Sequence, residues 1–217
     1  VGLLTLRIAG VEDPDSPLRE HWWHPVPFEI GKDRFCFTDY FSEGALFIRA
    51  STFRDTGGYD DDYFACFEAV DLALRILRAG YDILYVPTIG TVELQVSRHE
   101  RKTRSPRNYY FLRNKIWTAW KNCTLLRAIS FVGPRILKDG VLSVRNGWVD
   151  LWFRAVSEGI AAPSIIRRKR HPLPRSAWNR IQQIRKGHTW ELKETPPSAL
   201  QSELLIPSEP TLGAVGP

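Results

Sequence analysis

Between Gly44 and Pro87 the chain reads GALFIRASTFRDTGGYDDDYFACFEAVDLALRILRAGYDILYVP. This stretch restricts the fold more than any other, because its hydrophobic period changes twice. Residues 44–49 form a short apolar run that predicts a strand, and Ser51 is suited to cap the turn after it. Gly57 and Gly58 break that turn, since glycine reaches backbone angles closed to other residues. Three carboxylates follow in a loop: Asp60, Asp61 and Asp62. Residues 68–79 have helical periodicity, with Val70, Ala73, Leu74 and Leu77 as the apolar stripe. Glu68, Asp71, Arg75 and Arg78 then fall on the remaining surface. Gly80 ends the helix as a C-terminal cap, and residues 82–86 alternate like a strand before Pro87.

The order of these pieces carries a resemblance. A glycine-led strand, the pair Arg49 and Phe53, GGYDDDYF, FEAVDLALR and RAGYDILYVP resemble the second half of family-2 glycosyltransferases. These are inverting enzymes of the GT-A fold, and the rhamnosyltransferase-like members are closest in style. The resemblance runs from Val1 to the neighbourhood of Asn122. It implies an α/β fold in which residues 1–122 are the acceptor-side half of a GT-A (nucleotide-diphospho-sugar transferase) domain. Residues 123–186 would be a basic helical extension with amphipathic helices. Residues 187–217, rich in proline, serine and glutamate without periodicity, read as a disordered tail.

The implied activity is transfer of a sugar from a nucleotide-diphospho-sugar to a glycan or lipid-linked acceptor, with a divalent metal (Mn or Mg) expected for the full enzyme. Gly44 and Asp60, Asp61 and Asp62 would line the acceptor site, and Arg113, in a Tyr-x-x-Arg-Asn helix, would meet the diphosphate. Inverting transfer needs a carboxylate that deprotonates the acceptor hydroxyl as it attacks the anomeric carbon. Glu68 and Asp71 stand one turn apart at a helix start, where the dipole favours an ionised acid. Spacing alone allows another arrangement, with Glu68 capping the helix and Asp71 paired to Arg75 at i, i+4.

The sequence departs from the resembling pattern in three places. Ala69 stands where the family carries its second acid, the presumed base. Glu93 stands where relatives place a metal-binding histidine, with His99 six residues later; a carboxylate suits magnesium or manganese. The donor half with its Asp-x-Asp motif has no counterpart, so Val1 is expected to fall after the donor domain. A non-catalytic remnant serving as an interaction module therefore stays open beside the enzyme reading.

Composition limits the remaining classes. The chain has 217 residues, 43% of them hydrophobic, enough for a domain with a real core. No run approaches the ~20 apolar residues that cross a bilayer, and no secretory leader is visible. Three cysteines without metal-ligand spacing read as reduced core thiols of a cytoplasmic protein. The net charge is +6, acidic over residues 12–71 and basic over 98–186. Basic residues among aromatics are generic to nucleic-acid binders, and without a recognised motif no nucleic-acid partner is expected.

Residues 125–161, broken at Gly133-Pro134 and at Gly140, suit an amphipathic helix on an anionic membrane at its inner face or a helix docked on the domain. The run RRKRHPLPR at 167–175 suits anionic lipid or a solvated linker. Trp22 and Trp23, in a proline-bounded loop, suit either stacking on a sugar ring or packing over the sheet edge. His21 and His24, with no third ligand, do not read as a metal site.

Overall fold

The computed structural model describes residues 1–94, 105–162 and 164–190. In chain order the elements are β1 (Leu3–Gly10), β2 (Asp13–Pro17), α1 (Phe28–Gly31), β3 (Phe35–Thr38), β4 (Leu46–Ile48) and α2 (Ala50–Asp55). Then come α3 (Glu68–Arg78), β5 (Ile83–Glu93), α4 (Pro106–Asn122), α5 (Leu125–Asn146), α6 (Val149–Ala161), α7 (Ser164–Arg168), α8 (Arg175–Ile184) and β6 (Thr189–Trp190). The fold is α/β, built on a mixed sheet in the order β2-β1-β5-β3-β6, with β4 also paired to β1. Only β1 and β5 run parallel, as the crossover through α3 requires.

Alternation along the strands divides the core. Leu3 and Ile83 face α3 and α8, where they meet Leu72, Ile76, Leu77 and Ile181. Leu6, Ile8, Leu84 and Val86 face the opposite side with Phe35. A third cluster lies between α4, α5 and α6, around Leu112, Ile116, Val132 and Ala155. Burying Leu72, Ile76 and Leu77 stabilises by about 2 kcal/mol each, which is what fixes α3 on the sheet. A Schellman closure ends α3: Gly80, at φ +86°, donates to the Leu77 carbonyl while Tyr81 donates to that of Ile76.

Several sequence expectations change here. Of the expected stripe on α3, Ala73 and Leu77 are buried while Val70 and Leu74 are half-buried, and Ala69, Leu72 and Ile76 complete the inward face. Asp71 turns inward with it, because α4 supplies cations and amides to meet it. Ser51 lies inside α2, whose N-cap is Arg49 with no side-chain cap. Residues 13–17 form an edge strand on β1, where proline costs no ladder bond. The strand expected at 82–86 begins at Ile83 and continues through Pro87 to Glu93 as β5, irregular where the register jumps from Val86 to Gly90.

Helix α5 runs through Gly133, Pro134 and Gly140 without a break. Pro134 is exposed and removes one backbone bond, while Ala128, Val132, Asp139 and Ser143 hold the inner face. The helix stops instead at Gly147, φ +70°. Leu173, Ala177, Ile181 and Ile184, all beyond residue 122, share the core of α3. Residues 189 and 190, assigned to the tail, pair with Cys36 and Phe35; residues 191–217 lie outside the described residues. No helix among the described residues is long and apolar enough to cross a membrane.

Candidate acceptor site

The segment before α3 is held in an unusual backbone path. After a one-turn helix at Asp61–Tyr63, Phe64, Cys66 and Phe67 all have φ between 61° and 69°. For residues with side chains this left-handed region costs of order 1–3 kcal/mol each and persists only where the surroundings impose it. Helix α4 imposes it. Asn114 Nδ2 donates to the carbonyls of Tyr63, Ala65 and Cys66 at 2.9, 2.6 and 2.8 Å. Arg113 Nη2 reaches the carbonyls of Asp62 and Tyr63, and its guanidinium lies 4.0 Å over Trp117. Arg113, expected at a diphosphate, is thus buried and occupied in positioning the loop. Phe64, at the crest of that loop, is 81% exposed.

The expected carboxylates separate into two groups. Asp71 is fully buried, bonded to Arg75 Nε at 2.8 Å, Lys121 Nζ at 3.0 Å, Asn122 Nδ2 at 2.8 Å and the Tyr63 hydroxyl. The i, i+4 pairing with Arg75 that spacing allowed is present. Asp60 joins the same network through Lys121 at 2.6 Å and Lys169 at 2.7 Å. Its desolvation works upward, but the two ammonium groups and the Asp62 amide outweigh it and hold the carboxyl down to about 2. Asp62 also meets Lys169, at 2.6 Å, while Asp61 stays exposed.

In the run at 167–175, Lys169, Arg170 and His171 are engaged by the fold, while Arg167, Arg168 and Arg175 are exposed. Lys169 neutralises the acidic loop, Arg170 donates to the carbonyls of Trp120 and Cys123, and Arg78 Nη1 donates to the His171 carbonyl. These residues and the acidic loop line an open groove of about 670 Å³.

The second group joins Glu68, expected from the sequence, to Glu43, which sequence reasoning missed. Glu68, the first residue of α3, meets Glu43, which directly precedes Gly44. Burial, the Glu68 charge and the hydrogen bond to Glu68 push the Glu43 carboxyl up to about 7, while a bond from Tyr59 works the other way. A hydrogen bond between two carboxyl groups needs one proton between them, so the pair can carry one proton and accept another. Glu68 Oε2 is buried and has no hydrogen-bond partner among the described residues. Such an acceptor is costly to leave unmade and fits a hydroxyl arriving from outside.

Around the pair, Tyr40 and Tyr59 are each pushed up to about 12, by burial first and then by the two glutamates, so both phenols are neutral donors. Trp23, 58% exposed, lies edge-on to Tyr40 at 6.4 Å, and Tyr59 lies against Phe53 at 6.0 Å. Cys66 bonds Arg107, although burial still pushes its thiol up. Trp22 belongs to the interior instead: its Nε1 donates to the Val26 carbonyl at 2.7 Å, and its ring meets Phe28 and Tyr85.

Glu43 gives no periodic signal, and its partner lies twenty-five residues on. The one hint in the sequence is a charged residue set against the glycine that opens a strand. Ala69, at the position the resembling family fills with an acid, is 5% exposed and packed into the α3 core.

A metal does not fit the residues described. Glu93 ends β5 paired to His21 at 2.9 Å, His99 lies outside the described residues, and no group of three or more His, Cys, Asp or Glu that could hold an ion occurs among those described. His24 is buried against Thr38, and desolvation lowers it to about 3, so its ring is neutral.

Comparison with known proteins gives a partial likeness. No family model matches the chain. Over 49 residues it is 41% identical to the N-acetylglucosaminyl-diphospho-decaprenol L-rhamnosyltransferase of Mycobacterium tuberculosis, in strain CDC 1551 / Oshkosh and equally in strain ATCC 25618 / H37Rv. The matched stretch is 23% of this chain and 16% of the relative, so the chain matches well under a fifth of that protein's length. The chain thus has a distant, partial similarity to a rhamnosyltransferase.

Proposed function

We propose that this chain is the acceptor-side portion of an inverting family-2 glycosyltransferase of GT-A fold, with Glu68 as the base and Glu43 as its proton-sharing partner. The orphaned Glu68 Oε2 carries this reading. An acceptor hydroxyl seated there donates to Glu68. As its oxygen bonds to the anomeric carbon, the bond from that carbon to the diphosphate breaks and the proton passes to the carboxylate pair. Trp23, Tyr40 and Tyr59 suit the weakly apolar faces of a sugar ring, while Gly44 packs against Ile8.

The buried Asp71 serves the loop rather than the proton. Asp60 and Asp62 act in the same structural way through Lys121 and Lys169, which leaves Asp61 as the acid of the trio turned outward. With Ala69 packed in the core, the carboxylate that faces the loop is Glu68. Similarity to the rhamnosyltransferase supports a deoxyhexosyl donor, carried as a nucleotide-diphospho-sugar, and a glycan on a lipid diphosphate as acceptor. No step is assigned to a metal through the residues described.

The test is transfer of labelled sugar by the intact protein to a lipid-linked acceptor, comparing Glu68→Gln, Glu43→Gln and Asp71→Asn at matched folded concentration. General-base removal lowers kcat by about 10²–10⁴-fold. Full activity in Glu68→Gln refutes the assignment. Loss in Glu68→Gln with unchanged acceptor binding supports it.

A further inference from the structure

Helix α5 leaves a long apolar stripe uncovered. Leu126, Leu137 and Val144 follow one another at intervals of eleven and seven residues, three and two helical turns, and so share one line along the helix. They are 80%, 72% and 71% exposed. Lys138 and Arg145 each come one residue after Leu137 and Val144, which places a basic line beside the apolar one, while Arg127 stacks 4.5 Å over the Trp178 ring of α8. The only acid on α5 is Asp139, and it is buried against Lys115 of α4 at 2.8 Å.

Helix α6 extends this surface. Trp152 packs on Gly140 and donates to the Ile136 carbonyl at 3.0 Å, which joins α6 to α5, while Gly159 packs on Ile116 of α4. Going round α6 from the α4 side past the α5 side, the next sector holds Phe153 and Ile160, both about two-thirds exposed. Both apolar sectors therefore lie beyond the α5–α6 seam, away from α4, as one two-helix layer. Soluble monomers rarely leave a contiguous apolar face of this kind uncovered.

We infer that the outward face of α5 and α6 lies on an anionic lipid surface. The charge pattern selects this occupant. Anionic headgroups would meet Lys138 and Arg145 while Leu126, Leu137 and Val144 enter the acyl boundary. A two-fold pairing of α5 with a second copy would set that basic line against its own image. The surface is separate from the Glu43–Glu68 pair, so it is testable with no sugar donor present and fails or stands independently of the transfer chemistry.

The experiment is co-sedimentation of the full chain with phosphatidylcholine vesicles, with and without phosphatidylglycerol, alongside sedimentation velocity without lipid. The expected result is binding that requires phosphatidylglycerol. Removal of one cation weakens it by roughly fivefold, so K138Q with R145Q gives about 25-fold. L126Q with L137Q lowers binding by more than tenfold. All four sites are exposed, so unchanged circular dichroism is expected for each variant. Absence of vesicle binding overturns the proposal, as does equal binding by the wild type and both double variants. A wild-type dimer that L126Q with L137Q converts to monomer, without lipid binding, overturns it in favour of a second copy.

Discussion

Replacement of Lys121 by alanine tests the ionic centre that holds the acidic loop on α3. The ammonium is 4% exposed and lies 2.6 Å from Asp60 and 3.0 Å from Asp71, with the Tyr63 ring 4.8 Å away. Removing one partner of a buried pair typically costs about 3–5 kcal/mol, most of it the penalty of the stranded charge. Two partners soften the loss: Asp71 keeps Arg75 and Asn122, and Asp60 keeps Lys169. The lower end, about 3 kcal/mol, is therefore expected. For a chain of this size it lowers Tm by about 6–12 °C.

Lys169→Ala is the internal control. Its ammonium touches Asp60 and Asp62 but is 40% exposed, and partly solvated pairs contribute about 0–1 kcal/mol. Urea unfolding followed by tryptophan fluorescence, with calorimetry for Tm, measures both variants at neutral pH. Asp71→Asn in the Lys121→Ala background should cost less than the sum of the two single changes, because the stranded carboxylate is gone. A loss below about 1 kcal/mol for Lys121→Ala, or one equal to that of Lys169→Ala, refutes the buried-network account.

Other substitutions probe the remaining features. Glu43 titrates near 7 in the fold against 4.5 for the free side chain, so folding favours its protonated form; its stabilising contribution is full below pH 4.5 and lost as pH rises through about 7. Glu43→Gln should flatten that decline in a pH series of urea midpoints, and a decline of unchanged slope refutes the shared proton. Asp60 acts oppositely: its contribution is present above 3.8 and lost as pH falls through about 2, which Asp60→Asn should remove from the acid limb. Asn114→Ala takes the side-chain donor from the Ala65 and Cys66 carbonyls, that of Tyr63 keeping Arg113, and should destabilise by about 2–3 kcal/mol, with faster hydrogen exchange at residues 63–67 as the readout. Gly90→Ala sets a Cβ 2.6 Å from the Arg7 carbonyl, a backbone clash expected to lower Tm by several degrees.

The fold was legible where local chemistry decides it. Residues 44–87 gave strand, helix and strand because apolar period, a Gly80 cap and β-rich ends all agree. The face of α3 was not legible, since Asp71 looks like a surface acid until Lys121 and Asn122, about fifty residues on, arrive to satisfy it. Glu43 and Glu68 likewise meet only in three dimensions. Arg113 and Asn114 stood out as a helix face, and their work on backbone carbonyls could not be read from spacing. Helix-breaking chemistry also misled at Pro134, where helix packing outweighed it.

The return of α8 and β6 to the sheet has a consequence for how the chain is made. Arg180 bonds Asp82 across 98 residues, Arg185 bonds Asp39 across 146, and Lys169 reaches Asp60 across 109. Synthesis at about 5–20 residues per second leaves Asp82 waiting about 5–20 s for its partner to emerge. Until then the α3 side of the sheet lacks Leu173, Ala177 and Ile181, and the acidic loop lacks Lys169. The nascent chain thus passes through a prolonged stage with a half-covered hydrophobic layer and an acidic loop whose Asp62 lacks its cation, and chaperones that shield such layers would act on it in that interval.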